Sequence, residues 1–218
     1  MATAHRPAAQ MALADEFFLL AHDDRSGRPR LHPRANGLGH AAALLGELML
    51  TRRIELRSGL LLVTHPRPME EPLADAVLGQ ICDERSALDA HTWLAFLARG
   101  AADAVGQRLT RAGRVAPTRL RRGLRLATRY VPTSLNDAAW PAARLRLLLS
   151  RGEPMSASDA LLGGLVHACG LLGHVLWDND PGALDYLGRL VIRLPLTAQE
   201  LIAETEAAVG NAVLAARA

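Results

Sequence analysis

The sequence predicts a mainly α single globular domain, a central hydrophobic helix surrounded by amphipathic helices, with two short β-hairpins. Three observations predict it. Half of the 218 residues are hydrophobic and only 4% are aromatic, a balance that favours packed helices over an all-β core. Apolar residues recur at helical spacing through most segments. The run SASDALLGGLVHACGLLGHVLW, 156–177, is apolar on every side and uncharged from Ala160 to Trp177, so it cannot keep one face in water. A membrane span is the alternative for such a run and needs roughly 20 predominantly apolar residues. Two internal histidines and glycines 163, 164, 170 and 173 favour instead a buried helix that neighbours approach closely.

Each element has a local reason. Residues 1–10 read as a flexible tail ahead of one domain spanning 11–218. Met11 to Ala21 places Leu13, Phe17 and Leu20 on one helical stripe, and His22-Asp23-Asp24-Arg25-Ser26-Gly27 is a turn. Arg28 to Asn36 is a basic loop broken by prolines, and the run from Gly37 to Thr51 is helical and mostly apolar. Ile54 to Val63, turning at Arg57-Ser58-Gly59, is a first hairpin. Pro72 suits the first turn of a helix carrying Leu73, Val77 and Ile81. Leu88 to Leu97 and Ala101 to Ala112 are further helices, the second stopped by Gly113. Val115 to Tyr130 forms a second hairpin, turning at Arg121-Arg122-Gly123. A helix follows from Trp140 or Pro141 to Ser150. Ser156 and Asp159 cap the central helix. Ala183 to Leu194 is another helix, and Thr197 with Glu200 has the spacing of a capping box for a last one reaching Arg217.

The net charge is +3 and all 25 basic residues are arginine, so electrostatic function must come from a local cluster. Cys82 and Cys169 lie in apolar segments far apart, as two buried thiols of a reducing compartment would. The first ten residues lack a secretory apolar core, which points to the cytoplasm.

Catalytic signatures are thin. There is no G-x-S-x-G, phosphate-binding glycine loop, H-E-x-x-H or C-x-x-C, so we expect no enzyme, catalytic residue, metal or cofactor. His167 and His174 lie about 10 Å apart along a helix axis, too far to share one zinc ion easily, and read as core histidines. His22-Asp23-Asp24 reads as polar surface at a turn. The informative feature is basic. Between Asp103 and Asp137 no acidic residue occurs, while Arg108, Arg111, Arg114, Arg119, Arg121, Arg122, Arg125 and Arg129 do. Leu120 and Leu124 flank the tip of the second hairpin. Leucines entering a headgroup layer beside arginines that pair with phosphates suit a bilayer surface, each cation contributing on the order of 1 kcal/mol. A solvated basic face is an equal reading of the charge alone.

LADEFFLLAHDDRSGRPRL (13–31) and GLGHAAALLGELMLTRRIEL (37–56) resemble the opening of the Golgi phosphoprotein 3 family. That opening is a short helix with an acidic pair, a turn, and an apolar helix running into a hairpin. The resemblance continues through QRLTRAGRV (107–115), the hairpin closing at Val131-Pro132, and the alanine- and leucine-rich run after Ser156. It implies a helical fold with a protruding hairpin. It also implies a non-enzymatic protein on the cytoplasmic face of a membrane. Eukaryotic members bind phosphatidylinositol 4-phosphate, insert a hydrophobic loop and recognise cytosolic tails of glycosyltransferases. Their headgroup pocket uses a tryptophan and arginines at positions that fall near His32, Ala41, Arg99 and Ala102 here, so Arg99 alone keeps its residue type. Arg30 and Arg34 beside His32 stand as substitutes. The expected lipid-headgroup site is therefore Arg30, His32, Arg34 and Arg99, with Leu120, Arg121, Arg122, Leu124 and Arg125 contacting the membrane surface. Two other classes compete. One is a nucleic-acid binder using helix 101–112 and the basic hairpin as recognition helix and wing. The other is a protein-tail adaptor or homo-oligomer that docks through a hairpin.

Overall fold

The computed structural model describes residues 11–122, 125–176 and 180–217, leaving aside the side chains of 120–126 and 217. The elements run α1 (Leu13–Ala21), α2 (Pro33–Leu50), β1 (Ile54–Arg57), β2 (Leu60–Val63), α3 (Pro72–Asp83), α4 (Ala90–Leu97), α5 (Ala101–Arg111), β3 (Val115–Arg122) and β4 (Arg125–Pro132). The chain continues through α6 (Leu135–Arg151), α7 (Ala157–Ala168), α8 (Leu172–Val175), α9 (Pro181–Ile192) and α10 (Leu196–Arg217). It is mainly α, with two separate antiparallel hairpins, β1-β2 and β3-β4.

Two helices share the centre. α2 is buried without a break from Ala35 to Met49 and packs against α1, α4, α5, α7 and α10. Its small residues permit this crowding: a methyl group on Gly39 would meet the Phe17 ring at 2.4 Å, and one on Gly46 would meet Leu13 at 2.7 Å. The run 156–177 supplies the second, and it is shorter than its composition suggests. α7 opens on the expected capping box of Ser156 and Asp159. It stops at Ala168, where Gly170 takes φ +73°. There Leu171 N–H donates to the Val166 carbonyl and Gly170 N–H to that of His167, a helix stop built on a left-handed glycine. Gly163 and Gly164 do admit neighbours, Leu187 and Ile202, while Gly173 faces open space. His167 and His174 are exposed rather than core residues, and Cys82 is exposed while Cys169 is buried.

Several boundaries differ from those the sequence predicts. α2 begins four residues early, because Pro33 occupies its first position, where a missing N–H costs nothing; Arg34 is therefore helical. α6 starts at Leu135 behind a Ser134 cap and carries Pro141 in its interior, so proline did not mark its start. Thr197 does not cap α10 with Glu200; its hydroxyl accepts the Leu56 N–H at 2.6 Å and ties the helix to β1. In the second hairpin Arg122 lies opposite Arg125, so Arg121 and Arg122 belong to β3 rather than to the turn. Among the described residues, no helix is long and apolar enough to cross a membrane.

Candidate functional site

Two ion networks fix the helices around α1 and remove cations from the surface. Arg108 of α5 reaches inward to Asp15 (2.8 Å), Glu47 (2.7 Å) and Glu71 (3.1 Å). Glu47 also accepts the Ala14 N–H at 2.8 Å, so the carboxylate joins α2, α5 and the start of α1. Burial pushes Asp15 up to about 6 against the pull of Arg108. Arg144 of α6 pairs with Glu16 and Asp159, and burial raises Glu16 as well. Arg114 pairs with Asp137 at 2.7 Å. Among the described side chains of the basic stretch, Arg108 and Arg114 therefore have carboxylate partners.

The loop between α1 and α2 is tied down in the same way. Asp23 accepts from Ser26 Oγ (2.7 Å) and Ser26 N–H (2.8 Å), and these bonds hold its carboxyl down to about 2. Gly27 sits at φ +64°, and a methyl group there would lie 2.1 Å from the Tyr130 carbonyl oxygen, so this loop rests directly on β4. Arg30 is committed to the loop: Nε donates to the His22 carbonyl at 3.0 Å, and the guanidinium pairs with Asp24 at 3.0 Å and Asp23 at 3.8 Å. It is not the free phosphate ligand the sequence suggests.

His32, Arg34 and Arg99 fare differently. His32 is the N-cap of α2, exposed and making no side-chain cap bond, and the first turn carries no acidic residue. The helix thus presents its positive end uncompensated. Arg34 and Arg99 are both exposed and line one cavity of about 670 Å³ together with His91 and Asn211. Neither has a carboxylate within ion-pair reach among the described residues. Gly37 explains the juxtaposition, since a methyl group there would lie 2.4 Å from the Ala98 carbonyl oxygen. The backbones of α2 and the end of α4 touch, which sets Arg99 beside the start of α2. Of the other two positions the resemblance points to, Ala41 is fully buried and Ala102 lines a neighbouring cavity.

That second cavity, about 340 Å³, lies between the 27–33 loop, the start of α5 and β4, and shares Pro33 with the first. His22, Asn36, Tyr130, Arg28 and Arg129 line it. His22 stacks on Phe18 at 3.9 Å between centroids, and His40 meets both rings edge-on. Burial drives the His22 ring down to about 4 and the His40 ring to about 3. Sequence reasoning missed Asn36, His40 and Tyr130. Asn36 and His40 are one helical turn apart on α2, a spacing that only the α1 packing turns into a cluster. The residues expected at a membrane surface, Arg121, Arg122, Arg125 and Leu120, are placed by backbone register at the end of the ribbon. Their side chains, and Leu124 altogether, lie outside the described residues. Among those described, no group of three His, Cys, Asp or Glu is placed to hold a metal ion.

No curated protein matches the sequence at a significant level. The family model for Golgi phosphoprotein 3 (GPP34) matches residues 13–214. With nearly the whole chain covered, and a helical fold from which a basic ribbon extends, the protein belongs to the Golgi phosphoprotein 3 family.

Proposed function

We propose that this chain is a non-enzymatic, peripheral membrane protein that binds anionic phospholipid headgroups at the cytoplasmic face. One observation carries the reading: Arg34 and Arg99, distant in sequence and without carboxylate partners among the described residues, line one cavity at the uncapped start of α2. Free guanidinium groups and the positive end of a helix are what a phosphate needs. His32, the residue before the cavity-lining Pro33, packs over the headgroup or donates to it, and Arg30 holds the loop rather than the lipid. The basic ribbon, with Arg121, Arg122 and Arg125 near its end, supplies longer-range attraction, and Leu120 and Leu124 a shallow apolar insertion. Phosphatidylinositol 4-phosphate is the headgroup the resemblance implies, but three of the four pocket positions carry other residues here, so anionic lipid in general is the supported class.

Co-sedimentation with vesicles that differ only in anionic lipid tests this. Wild type should pellet with anionic vesicles and stay soluble with neutral ones. Arg34→Glu/Arg99→Glu should lose about tenfold in affinity or more, the worth of one charge-assisted hydrogen bond. Indifference of wild type to anionic lipid would remove the reading. Nucleic-acid binding is less well supported: α5 turns Arg108 inward and exposes Asp103 beside Gln107 and Arg111, a poor face for a groove lined with phosphates.

A further inference from the structure

The cavity beside the phosphate site has an unusual lining. His22 Nδ1 lies 2.8 Å from the Phe18 carbonyl oxygen and His40 Nδ1 lies 2.6 Å from that of Asn36. A carbonyl only accepts, so each Nδ1 carries the hydrogen and each neutral ring turns a lone pair outward at Nε2. His40 Nε2 is buried with no partner, and so is Asn36 Oδ1. The two residues are 0% and 6% exposed. Buried acceptors without donors are costly, and here Asn36 and His22 face a cavity of about 340 Å³. That is far more room than one water fills, at about 30 Å³ of liquid volume. The recess therefore wants hydrogen-bond donors at depth, and its charged lining is Arg28 and Arg129 together with the carboxylate of Asp103.

We propose that this recess selects an unphosphorylated polyol headgroup, its hydroxyls donating to Asn36 Oδ1 and His22 Nε2 while its phosphodiester stays among the arginines. A phosphomonoester pushed into the same space would set charged oxygens against lone pairs and is disfavoured. The inference rests on the lipid reading above and adds a selectivity that the Arg34–Arg99 cavity does not supply.

The test compares vesicles of equal surface charge carrying phosphatidylglycerol, phosphatidylinositol, phosphatidic acid or phosphatidylinositol 4-phosphate. The two diester polyols should bind about fivefold more tightly, the worth of one net hydrogen bond. His22→Phe, which keeps the stack on Phe18, and Asn36→Leu should erase that preference and leave binding to phosphatidic acid unchanged. Equal binding of wild type to all four lipids overturns this inference alone, whereas no binding to any of them removes the lipid reading with it. Where a variant fails to fold, imidazole nitrogen resonances of wild type decide. Soluble glycerophosphoglycerol should shift Nε2 of His22, which lines the recess, and a stationary His22 resonance overturns the proposal. Shifts of the same size with plain glycerol at equal concentration would mean a free-polyol site, and would overturn the headgroup assignment.

Discussion

Arg108 is where single residues matter most for stability. Its side chain is 9% exposed and touches three carboxylates from α1, α2 and the cap of α3. Arg108→Met leaves Asp15, Glu47 and Glu71 facing one another without a cation, and removing one partner of a buried pair costs about 3–5 kcal/mol. Urea denaturation should register that loss, with Arg108→Lys intermediate because an ammonium cannot fork to separate carboxylates. His22 and His40 set a pH dependence. Both rings are buried and neutral, held near 4 and near 3, well below the value of 6.5 they regain on unfolding. Their contribution is complete above that value and drains as pH falls, on the order of 2 kcal/mol per ring by about pH 5. Asp15 acts in the opposite sense: its raised value means that protonation below about 6 relieves a buried charge and returns part of the loss. The Arg30 charge further disfavours a protonated His22. Denaturant midpoints should therefore fall between about pH 7 and pH 5, and His22→Phe should flatten the slope.

At the scale of elements, contacts at glycines decide what meets what. Gly37 brings the backbone of α2 against the Ala98 carbonyl, and Gly27 brings the α1-α2 loop against the Tyr130 carbonyl. In α5 a methyl group on Gly106 would lie 2.6 Å from the Tyr130 ring, which docks the second hairpin. Gly37→Ala must push α4 away from α2, because a carbonyl in a helix end cannot rotate aside as a long side chain can. We expect vesicle affinity to fall at least about threefold while helix content by circular dichroism is retained. An unchanged affinity would show that the two arginines need no fixed spacing. Such backbone contacts cost about 1–3 kcal/mol when overpacked, enough to separate the elements without unfolding the chain.

Across the whole molecule, the arrangement of cations matters more than their sum. A net charge of +3 gives little field, and Arg30, Arg108, Arg114 and Arg144 are paired with carboxylates. The Arg34–Arg99 cavity, the acceptor-lined recess and the base of the ribbon adjoin one another through Pro33 and β4. α2 then runs about 27 Å at its rise per residue to an apolar groove lined by Met49, Ile54, Leu161 and Leu194. A bilayer bound at the start of α2 leaves that groove on the far side. Arg121→Glu/Arg122→Glu/Arg125→Glu should weaken vesicle binding and flatten its dependence on salt. Leu196→Asp, at a residue 75% exposed beside the groove, should change affinity less than about twofold, since no guanidinium is lost. A strong loss from Leu196→Asp would reverse the orientation assigned here.

The sequence by itself determined what local chemistry controls. The Ser156–Asp159 cap, the Gly113 stop, Pro72 at the start of α3 and both hairpins depend on backbone preferences within a few residues, and all are present, with the strands reaching one or two residues further into each turn than expected. Hydrophobic periodicity likewise located nearly every helix. The tertiary structure decided which charges are free. Arg30 and Arg34 are four residues apart and alike in a linear reading, yet one lies against Asp23 and Asp24 while the other faces a cavity with Arg99. The same holds for the histidines: His167 and His174 sit in an apolar run but are exposed, whereas His22 and His40 become buried acceptors only when α1 packs on α2. Burial and the ion pairs of Arg108 and Arg144 are set by residues far away in the chain, whereas Arg30 meets its carboxylates only because the loop folds back on itself.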